Sequence, residues 1–266
     1  MTESLPTRSN ADRADQTRAR ILDAATSEFS ANGLAGARTE RIAEAAGVNK
    51  ALIYYYFRSK DALYAAALES ITGRMAATGL SVLNLDCSAG ERLLRSTLNH
   101  FDRIYSQPVF QNLVQQEMIR LRKGESNEVN PLVQKLFKPL GDRMLAVVEE
   151  GIRCGELISV ESTQVTYSAL GANVFYFLSA PMMRLIGAVD PLDRSALEFR
   201  RKAAIEFLGQ AIFMDRAYGA EVAARVLADT PMPHKIDFSM DQGHTERIGN
   251  TTINHVPSTT YEERHK

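Results

Sequence analysis

The chain has 266 residues, of which 45% are hydrophobic, and its formal net charge at pH 7 is −1. This length and hydrophobic share are enough for a small N-terminal domain followed by a larger second core. A charge so close to zero excludes a protein that is basic over its whole surface, so any affinity for nucleic acid must come from a local patch.

Residues 1–14 are predicted to form a flexible N-terminal arm. Four arginines lie in it or just after it, at Arg8, Arg13, Arg18 and Arg20. Such an arm can lie along the minor groove of DNA or remain a solvated tail, and the second alternative is favoured. The first helix is predicted over 15–32, because apolar residues recur there at helical spacing and Asn32-Gly33 is a stop signal.

Two short helices separated by a glycine turn are predicted next. Thr39 should cap the first of them, which places Glu40 at its positive end. Gly47 suits the left-handed turn that ends this helix, and Asn49 is a good N-cap for a second helix over 50–57. The arrangement predicts a helix-turn-helix within a three-helix N-terminal domain.

The outer face of the second short helix is apolar and aromatic. Ile53 and Phe57 share its inner face, whereas Ala51 and Tyr55 point outward. The charged residues around it are all basic, at Lys50, Arg58 and Lys60. The natural partner is a polyanion with flat, partly apolar edges, which means DNA. The alternative, a small buried helix with snorkelling basic side chains, leaves the outer apolar residues without a partner.

The sequence from Thr17 to Leu68 closely resembles the N-terminal domain of TetR/AcrR-type transcriptional regulators. The resemblance is carried by the pattern of the first helix, the Ala-Gly-Val turn, the Tyr-Tyr-Tyr-Phe run and the Ser-Lys-Asp-Ala-Leu start of the next helix. It implies an all-α fold, with the helix-turn-helix domain followed by a helical domain for ligand binding and dimerisation. It also implies a DNA-binding regulator that works as a homodimer.

Eight side chains are expected to contact DNA. Lys50, Ala51, Leu52 and Tyr55 should face base edges, and Thr39, Tyr54, Tyr56 and Lys60 should fix phosphates. Lys60 is the most informative of these residues. A cation in the first turn after the Ser59 cap opposes the helix dipole, unless an anion binds at the same helix start.

Beyond Leu68 the chain shows helix start and stop signals and no alternating strand pattern, so the second domain should also be all-helical. Ser88 and Glu91 form a capping box, and Pro108 suits the first position of a helix. The predicted boundaries are 59–78, 88–106, 108–123, 130–155 with a kink at Pro139, and 193–217 for the ninth and last helix, with an eighth helix before it.

The segment 162–183 carries no formal charge over a length that could cross a bilayer. Polar residues and Pro181 dilute it, so a helix buried in the protein is favoured. Cys87 and Cys154 match no metal spacing, and the N-terminus has no apolar signal segment. We therefore expect a reduced, cytoplasmic protein with no membrane partner.

After the arm, the predicted domains are 15–62 for DNA binding, 63–218 for effector binding and dimerisation, and 219–266 as a disordered tail. The segment 203–214 is apolar around nearly its whole circumference, so it needs cover on both faces. The resemblance implies that the last two helices pack against those of a second copy, and two-fold symmetry then predicts a palindromic operator. The residues expected at this interface are Ala204, Leu208, Ala211 and Ile212.

The resemblance also implies an effector cavity among the fifth to eighth predicted helices. Glu117 marks it best, because its carboxylate lies on an apolar stripe and needs a partner. That partner can be a cationic or hydrogen-bond-donating ligand. The favoured alternative is an ion pair with an internal arginine such as Arg120, Arg143 or Arg184, or an edge position with the carboxylate in water. Asn173, a polar residue in the most apolar helix, needs a hydrogen-bond partner, for which a ligand and its mate across the dimer are candidates. Further candidate lining residues are Phe101, Tyr105, Phe137, Met144, Phe175 and Tyr176.

Four of the five histidines lie in the predicted tail, at His234, His244, His255 and His265. Their wide spacing does not suit a metal site. The sequence has no phosphate-binding glycine loop, nucleophile elbow or paired metal motif, so no enzyme, cofactor or metal is predicted. The prediction is a cytoplasmic repressor released from a palindromic operator by a small effector. A DNA-binding dimer of the same fold, controlled by a protein partner or acting architecturally, is the alternative.

Overall fold

The computed structural model describes residues 10–125, 129–187 and 190–234. Within them the secondary structure is helical apart from one isolated β-bridge, which confirms the all-α class. The helices are α1 (Asn10–Gly36), α2 (Thr39–Ala46), α3 (Lys50–Phe57), α4 (Lys60–Leu83), α5 (Ala89–Ser106), α6 (Pro108–Arg122), α7 (Val129–Leu132), α8 (Lys138–Arg153), α9 (Ser162–Ile186), α10 (Arg194–Ile212) and α11 (Arg216–Asp229), and a π-helical turn, Val133–Phe137, joins α7 to α8.

The turn between α2 and α3 forms as the sequence predicts. Gly47 adopts left-handed angles (φ 62°, ψ 42°), which a residue with a β-carbon rarely does. The side chain of Asn49 accepts a hydrogen bond of 2.7 Å from the backbone N–H of Ala51, so it caps α3. Ile53 and Phe57 are buried against α1, α2 and α4. The helix-turn-helix is therefore fixed by its turn chemistry and by a shared core.

The predicted cap at Thr39 is wrong by one residue. Arg38 is the extended N-cap residue, Thr39 is the first helical position, and no side chain of α2 itself caps this end. The carboxylate of Glu28, in α1, instead accepts a 3.0 Å hydrogen bond from the backbone N–H of Arg38. A negative group near the start of α2 also suits its dipole, so a tertiary contact replaces the local one that the sequence suggests.

The predicted arm is shorter than 14 residues, because α1 begins at Asn10. No glycine or proline interrupts residues 10–15, and Asp12 lies in the first turn, where a negative charge is favourable. Arg13, Arg18 and Arg20 therefore lie on a helix, while Arg8 lies outside the described residues. At its other end α1 is broken at Gly33 (φ 68°, ψ 174°), where the sequence predicts its end.

Helix α4 runs through both hydrophobic cores. Residues from Leu63 to Ile71 pack with α1, α2, α3 and α6, whereas Leu83 packs with α5 and α8–α11. The predicted domain boundary at residue 62 therefore falls inside the first core. Because α4 is continuous between the two cores, a displacement of the helix in one core would also displace its residues in the other.

The predicted seventh helix is divided where Pro139 interrupts it. Pro139 has no N–H to donate to the preceding turn, and the backbone widens into the π-helical turn just before α8 begins. The predicted Ser88–Glu91 capping box forms only through its serine, because the carboxylate of Glu91 accepts hydrogen bonds from Arg95 and Arg225 instead. The predicted helix start at Pro108 is confirmed. The Ser88 hydroxyl accepts a 3.2 Å hydrogen bond from the N–H of Glu91, and Pro108 is the first residue of α6.

The expectation of a disordered tail from residue 219 is wrong for its first part, because Arg216–Asp229 forms α11. The predicted ninth helix ends at Ile212, and the next residue, Phe213, forms an antiparallel bridge with Leu157. In this bridge the N–H of Ile158 donates to the carbonyl of Ile212, and the N–H of Met214 donates to the carbonyl of Glu156. Asp215 then caps α11, whose residues Val222, Ala223 and Val226 are fully buried. These apolar residues stabilise a helix whose local sequence gives only a weak signal. Residues 235–266 lie outside the described range.

Candidate DNA-binding face and effector cavities

The outward face of α3 has the composition that the sequence predicts. Tyr55 is 77% exposed and Tyr54 is 41% exposed, which is unusual for aromatic side chains with no function at the surface. Ala51 is also exposed, whereas Leu52 and Tyr56 are half-buried. The ring of Tyr56 meets that of Tyr55 edge-on, which restrains both side chains. Tyr55 therefore lies at the centre of an exposed aromatic surface.

Lys50 forms an ion pair with Glu40 across the turn. This contact lowers the pKa of Glu40 and raises the pKa of Lys50, because their hydrogen bond favours both charged forms. Both side chains are exposed, and exposed pairs contribute little stability. A base edge or a phosphate can therefore displace Glu40 from Lys50 at small cost.

Lys60 occupies the start of α4, directly after the Ser59 cap. Its ammonium group donates a 3.2 Å hydrogen bond to the carbonyl of Ala35, near the end of α1. This bond partly relieves the conflict between the lysine and the dipole of α4. Helix electrostatics alone therefore do not require a bound phosphate, and the assignment of Lys60 to the DNA backbone stays a prediction.

Thr39 is buried, and its hydroxyl lies 3.5 Å from the carboxylate of Glu40. Two exposed arginines close to it, Arg38 and Arg41, are not among the DNA contacts predicted from the sequence. Their signal was available, because they lie at the cap and in the first turn of α2, the end of the helix that can approach a phosphate. They are added here as candidate backbone contacts.

Helices α9 and α10 pack on α5 and leave large apolar side chains exposed on other faces. The most exposed on α10 are Phe199 and Phe207, at 75% and 69%. Those on α9 are Tyr167, Phe175, Leu178, Met182, Met183, Leu185 and Ile186. We call this set the apolar α9/α10 faces. Exposed aromatic and aliphatic side chains in such numbers indicate a surface that another molecule covers.

Two expectations about these helices need correction. The apolar helix of 162–183 is not buried within the chain, because α5 and α8 cover only one side of α9. By length and composition alone α9 could cross a membrane, which is weak support for a membrane role.

Among the expected interface residues, Ile212 is buried in the chain's own second core and Leu208 packs against that core. Ala204 is half-buried and Ala211 is exposed.

Two apolar cavities lie in the helical domain and share Phe137. The first, of about 200 Å³, lies among α4, α5, α8 and α9 and includes Met144. The second, of about 280 Å³, lies among α4, α6 and the α7–π segment and includes Glu117. Phe137, Met144 and Glu117 are therefore the predicted effector residues that line a cavity.

Glu117 is held by its own chain. Its carboxylate accepts hydrogen bonds from the hydroxyl of Tyr64, at 2.5 Å, and from the guanidinium of Arg120, at 2.9 Å. Burial and the adjacent carboxylate raise the pKa of Tyr64, which therefore stays protonated and donates. The Arg120 alternative from the sequence is thus confirmed. Glu117 ties α6 to α4, and its carboxylate is already occupied without a cationic effector.

We expect Glu117→Gln to lower the stability of the protein by about 1–3 kcal/mol, because it removes the negative charge that accepts from Tyr64 and pairs with Arg120. Thermal unfolding would measure the loss. Glu125→Gln, at an exposed position after α6, is the matched control and should leave stability unchanged. Normal stability of Glu117→Gln, together with a weakened response to an effector, would contradict the structural role of this residue.

The remaining predicted effector residues have partners elsewhere in the chain. Asn173 is buried and its side-chain amide donates a 3.0 Å hydrogen bond to the carbonyl of Thr97, so it has a partner within the chain. The hydroxyl of Tyr176 donates to the carbonyl of Pro191. The ring of Phe101 packs against Tyr176 and Phe177, Tyr105 lies 3.5 Å from Arg194, and Phe175 is exposed on α9. None of these residues lines the two apolar cavities.

Within the residues that the structure describes, no group of three or more potential metal ligands comes together. His234 lies in this range and is exposed. His244, His255 and His265 lie outside it.

Comparison with known proteins agrees with the geometry of the N-terminal domain. Residues 21–67 match the sequence model of the bacterial regulatory proteins of the tetR family. The HTH-type transcriptional repressor SCO4008 of Streptomyces coelicolor is 51% identical over 55 residues, which are 21% of this chain and 29% of the repressor. The HTH-type transcriptional repressor NicS of Pseudomonas putida is 41% identical over 85 residues, 32% of this chain and 40% of that protein. The matches span less than half of each relative.

A likeness to solved structures extends over the helical domain. The crystal structure of a gamma-butyrolactone receptor, an ArpA-like protein, superposes with a TM-score of 0.60 at 21% identity. The match covers 82% of this chain and the whole of that chain, and it shows a common fold. Residues 21–67 of the present chain are thus similar to the tetR family, and the chain shares its overall fold with that receptor.

Proposed function

We propose that this chain is a homodimeric TetR-family transcriptional repressor that binds a palindromic operator through α2 and α3 and is released by a small-molecule effector. The observation that carries the proposal is the outer face of α3, where Tyr55 is 77% exposed among basic residues. Curated relatives of the same domain are named transcriptional repressors, which supports this direction of control. We place the protein in the cytoplasm, where its DNA would be, and assign it no catalytic role and no cofactor.

The apolar α9/α10 faces support the homodimer. Each helix packs one side on α5 and exposes aromatic and aliphatic residues elsewhere, as expected of helices that meet their two-fold mates. Two-fold symmetry would present two copies of α3 to successive turns of the major groove. The operator would then carry two inverted half-sites.

The cavities favour an effector over a protein partner as the controlling signal. At about 200 and 280 Å³ they are smaller than the roughly 300–1,000 Å³ of typical ligand pockets, but they are larger than packing defects. A fully packed core would have favoured control by a protein partner. We therefore expect a compact effector with few non-hydrogen atoms.

The contrast between Lys60→Ala and Tyr55→Ala tests the proposed DNA contacts. Lys60→Ala should weaken binding to all DNA sequences alike, because it removes a phosphate contact. The salt dependence of the binding constant should fall by about one counterion for each helix-turn-helix domain. Tyr55→Ala should also reduce the preference for the operator over unrelated DNA, because it removes contacts with base edges. Fluorescence anisotropy at several salt concentrations would measure both effects.

Lys123→Ala is the matched control, since this exposed lysine lies at the end of α6 and the substitution removes the same charge. Its salt dependence should equal that of the unmodified protein. If the two variants had the same salt dependence of DNA binding, the assignment of Lys60 to a phosphate contact would be wrong.

A further inference from the structure

Arg103 lies between two cavities of different character. It lines the apolar cavity of about 200 Å³ and also a polar cavity of about 440 Å³ between α4, α5 and the segment that follows α11. Met75 and Asn99 line both cavities as well. The two spaces are therefore neighbours, and the guanidinium group of Arg103 stands where they approach each other.

The charge of Arg103 is buried and has only neutral partners among the described residues. Its side chain donates hydrogen bonds to the carbonyl of Met75, at 2.8 Å, and to the amide oxygen of Asn99, at 2.7 Å. The residue is 9% exposed, and this burial lowers the pKa of Arg103. A buried cation without a counter-charge is costly, so a bound anion would stabilise this arrangement.

The acidic residue nearest in sequence is already neutralised. Asp102 lines the polar cavity, but its two carboxylate oxygens accept hydrogen bonds of 2.6 and 2.7 Å from the guanidinium of Arg201. Arg74 lines the same cavity, is exposed, and forms no ion pair within the described residues. The polar cavity therefore carries an excess of positive charge.

The apolar cavity holds a neutral polar group close to Arg103. Burial and the charge of Arg103 lower the pKa of His100 to about 4, so its ring is uncharged at neutral pH. The other walls are largely apolar, with Leu83, Phe137, Leu140, Met144 and Leu170 among them. At about 30 Å³ for each non-hydrogen atom, the share that a water molecule takes in the liquid, the cavity holds roughly six or seven atoms.

We propose that the effector is a small amphipathic organic anion, whose carboxylate or phosphate binds Arg103 with help from Arg74 and whose short apolar part fills the cavity beside Met144. This assignment rests on the proposed effector-responsive function and names the class of ligand. It also replaces the expectation of a cationic effector, which depended on Glu117. A planar guanidinium suits carboxylate and phosphate oxygens, and the apolar walls would exclude fully hydrophilic anions.

Hexanoate, hexylamine and hexan-1-ol are matched probes for this proposal, because they share a short apolar chain and differ in the charge of the head. Titration of the full-length protein, followed by NMR chemical shifts, should show binding of hexanoate and much weaker binding of the other two. Arg103→Gln should lower the affinity for hexanoate by about 10- to 100-fold, the range for loss of a charge-assisted hydrogen bond. Arg122→Gln, at an exposed position on α6, is the control for the change in charge and should bind normally.

Gly141→Leu provides a second test that leaves Arg103 intact. A β-carbon at Gly141 meets no atom within 4 Å, and this residue lines the apolar cavity. Leucine should therefore occupy the cavity without disturbing the fold, and it should abolish binding of hexanoate. The proposal would be overturned if hexanoate failed to bind, bound no better than hexylamine, or bound Arg103→Gln and Gly141→Leu as tightly as the unmodified protein.

Operator binding is measured separately, so that the two proposals can fail independently. Binding of an operator without binding of hexanoate would support the proposed function and contradict the proposed class of ligand. Binding of hexanoate through Arg103 without selection of any DNA sequence would support the anion site and contradict the repressor function.

Discussion

Replacement of Phe207 by glutamate is expected to convert the proposed homodimer into monomers. Phe207 is 69% exposed on α10 and belongs to the apolar α9/α10 faces. A carboxylate buried there against the second copy would have no partner, which costs about 3–5 kcal/mol and raises the dimer dissociation constant at least ~100-fold. Sedimentation of the variant would show the monomer. The affinity for the operator should also fall, because a monomer has one helix-turn-helix domain and makes half of the DNA contacts of the dimer.

Leu85→Glu is the control for this substitution. Leu85 is also an exposed apolar residue, but it lies in the turn between α4 and α5 and does not belong to the apolar α9/α10 faces. That variant should remain a dimer with full operator affinity. If Phe207→Glu sedimented as an unchanged dimer, the apolar α9/α10 faces would not be the interface.

Gly219→Ala is expected to destabilise the protein by about 1–3 kcal/mol, the usual cost of forcing a group into a packed core. Helices α10 and α11 touch through backbone at Gly209 and Gly219. A β-carbon on Gly219 would lie 2.0 Å from the carbonyl oxygen of Gly209 and 2.8 Å from the side chain of Phe213. The helices would have to move apart, which would also disturb the second core.

Gly73→Ala is the matched control, because a β-carbon at that position in α4 meets no atom within 4 Å. This variant should be slightly more stable, by about 0.5–1 kcal/mol, because alanine loses less conformational freedom in a helix than glycine. Chemical denaturation of both variants would measure the difference. Equal stabilities would contradict the close packing of α11 on α10.

The N-terminal domain could be predicted closely because its signals are local. Gly47 and Asn49 define the turn by their own conformations and side chains, and the alternation of buried Ile53 with exposed Tyr55 follows from the period of a helix. Two local details differ: α1 begins at Asn10 and not at residue 15, and the cap predicted at Thr39 is replaced by a contact in which a distant residue, Glu28, binds the N–H of Arg38. Local chemistry cannot show a partner that only the tertiary fold brings near.

The helical domain was harder to predict because its decisive contacts are long-range. Helix α11 has only a weak local signal and is stabilised by its packing on α5 and α10, which no sequence pattern specifies. Arg120 was one of several partners that the sequence allowed for Glu117, but the hydrogen bond from Tyr64 was not predicted. Arg103 was missed as a site residue, because its burial beside neutral partners depends on how α4 crosses α5.

Selection of bound sequences from random double-stranded DNA, with the purified full-length chain, tests the central claim most directly. The claim is that two copies of α3, related by two-fold symmetry, read base edges through Lys50, Ala51, Leu52 and Tyr55. The predicted result is one enriched motif made of two inverted half-sites, bound by a dimer. Failure to enrich any motif, or enrichment of a single asymmetric site, would contradict it.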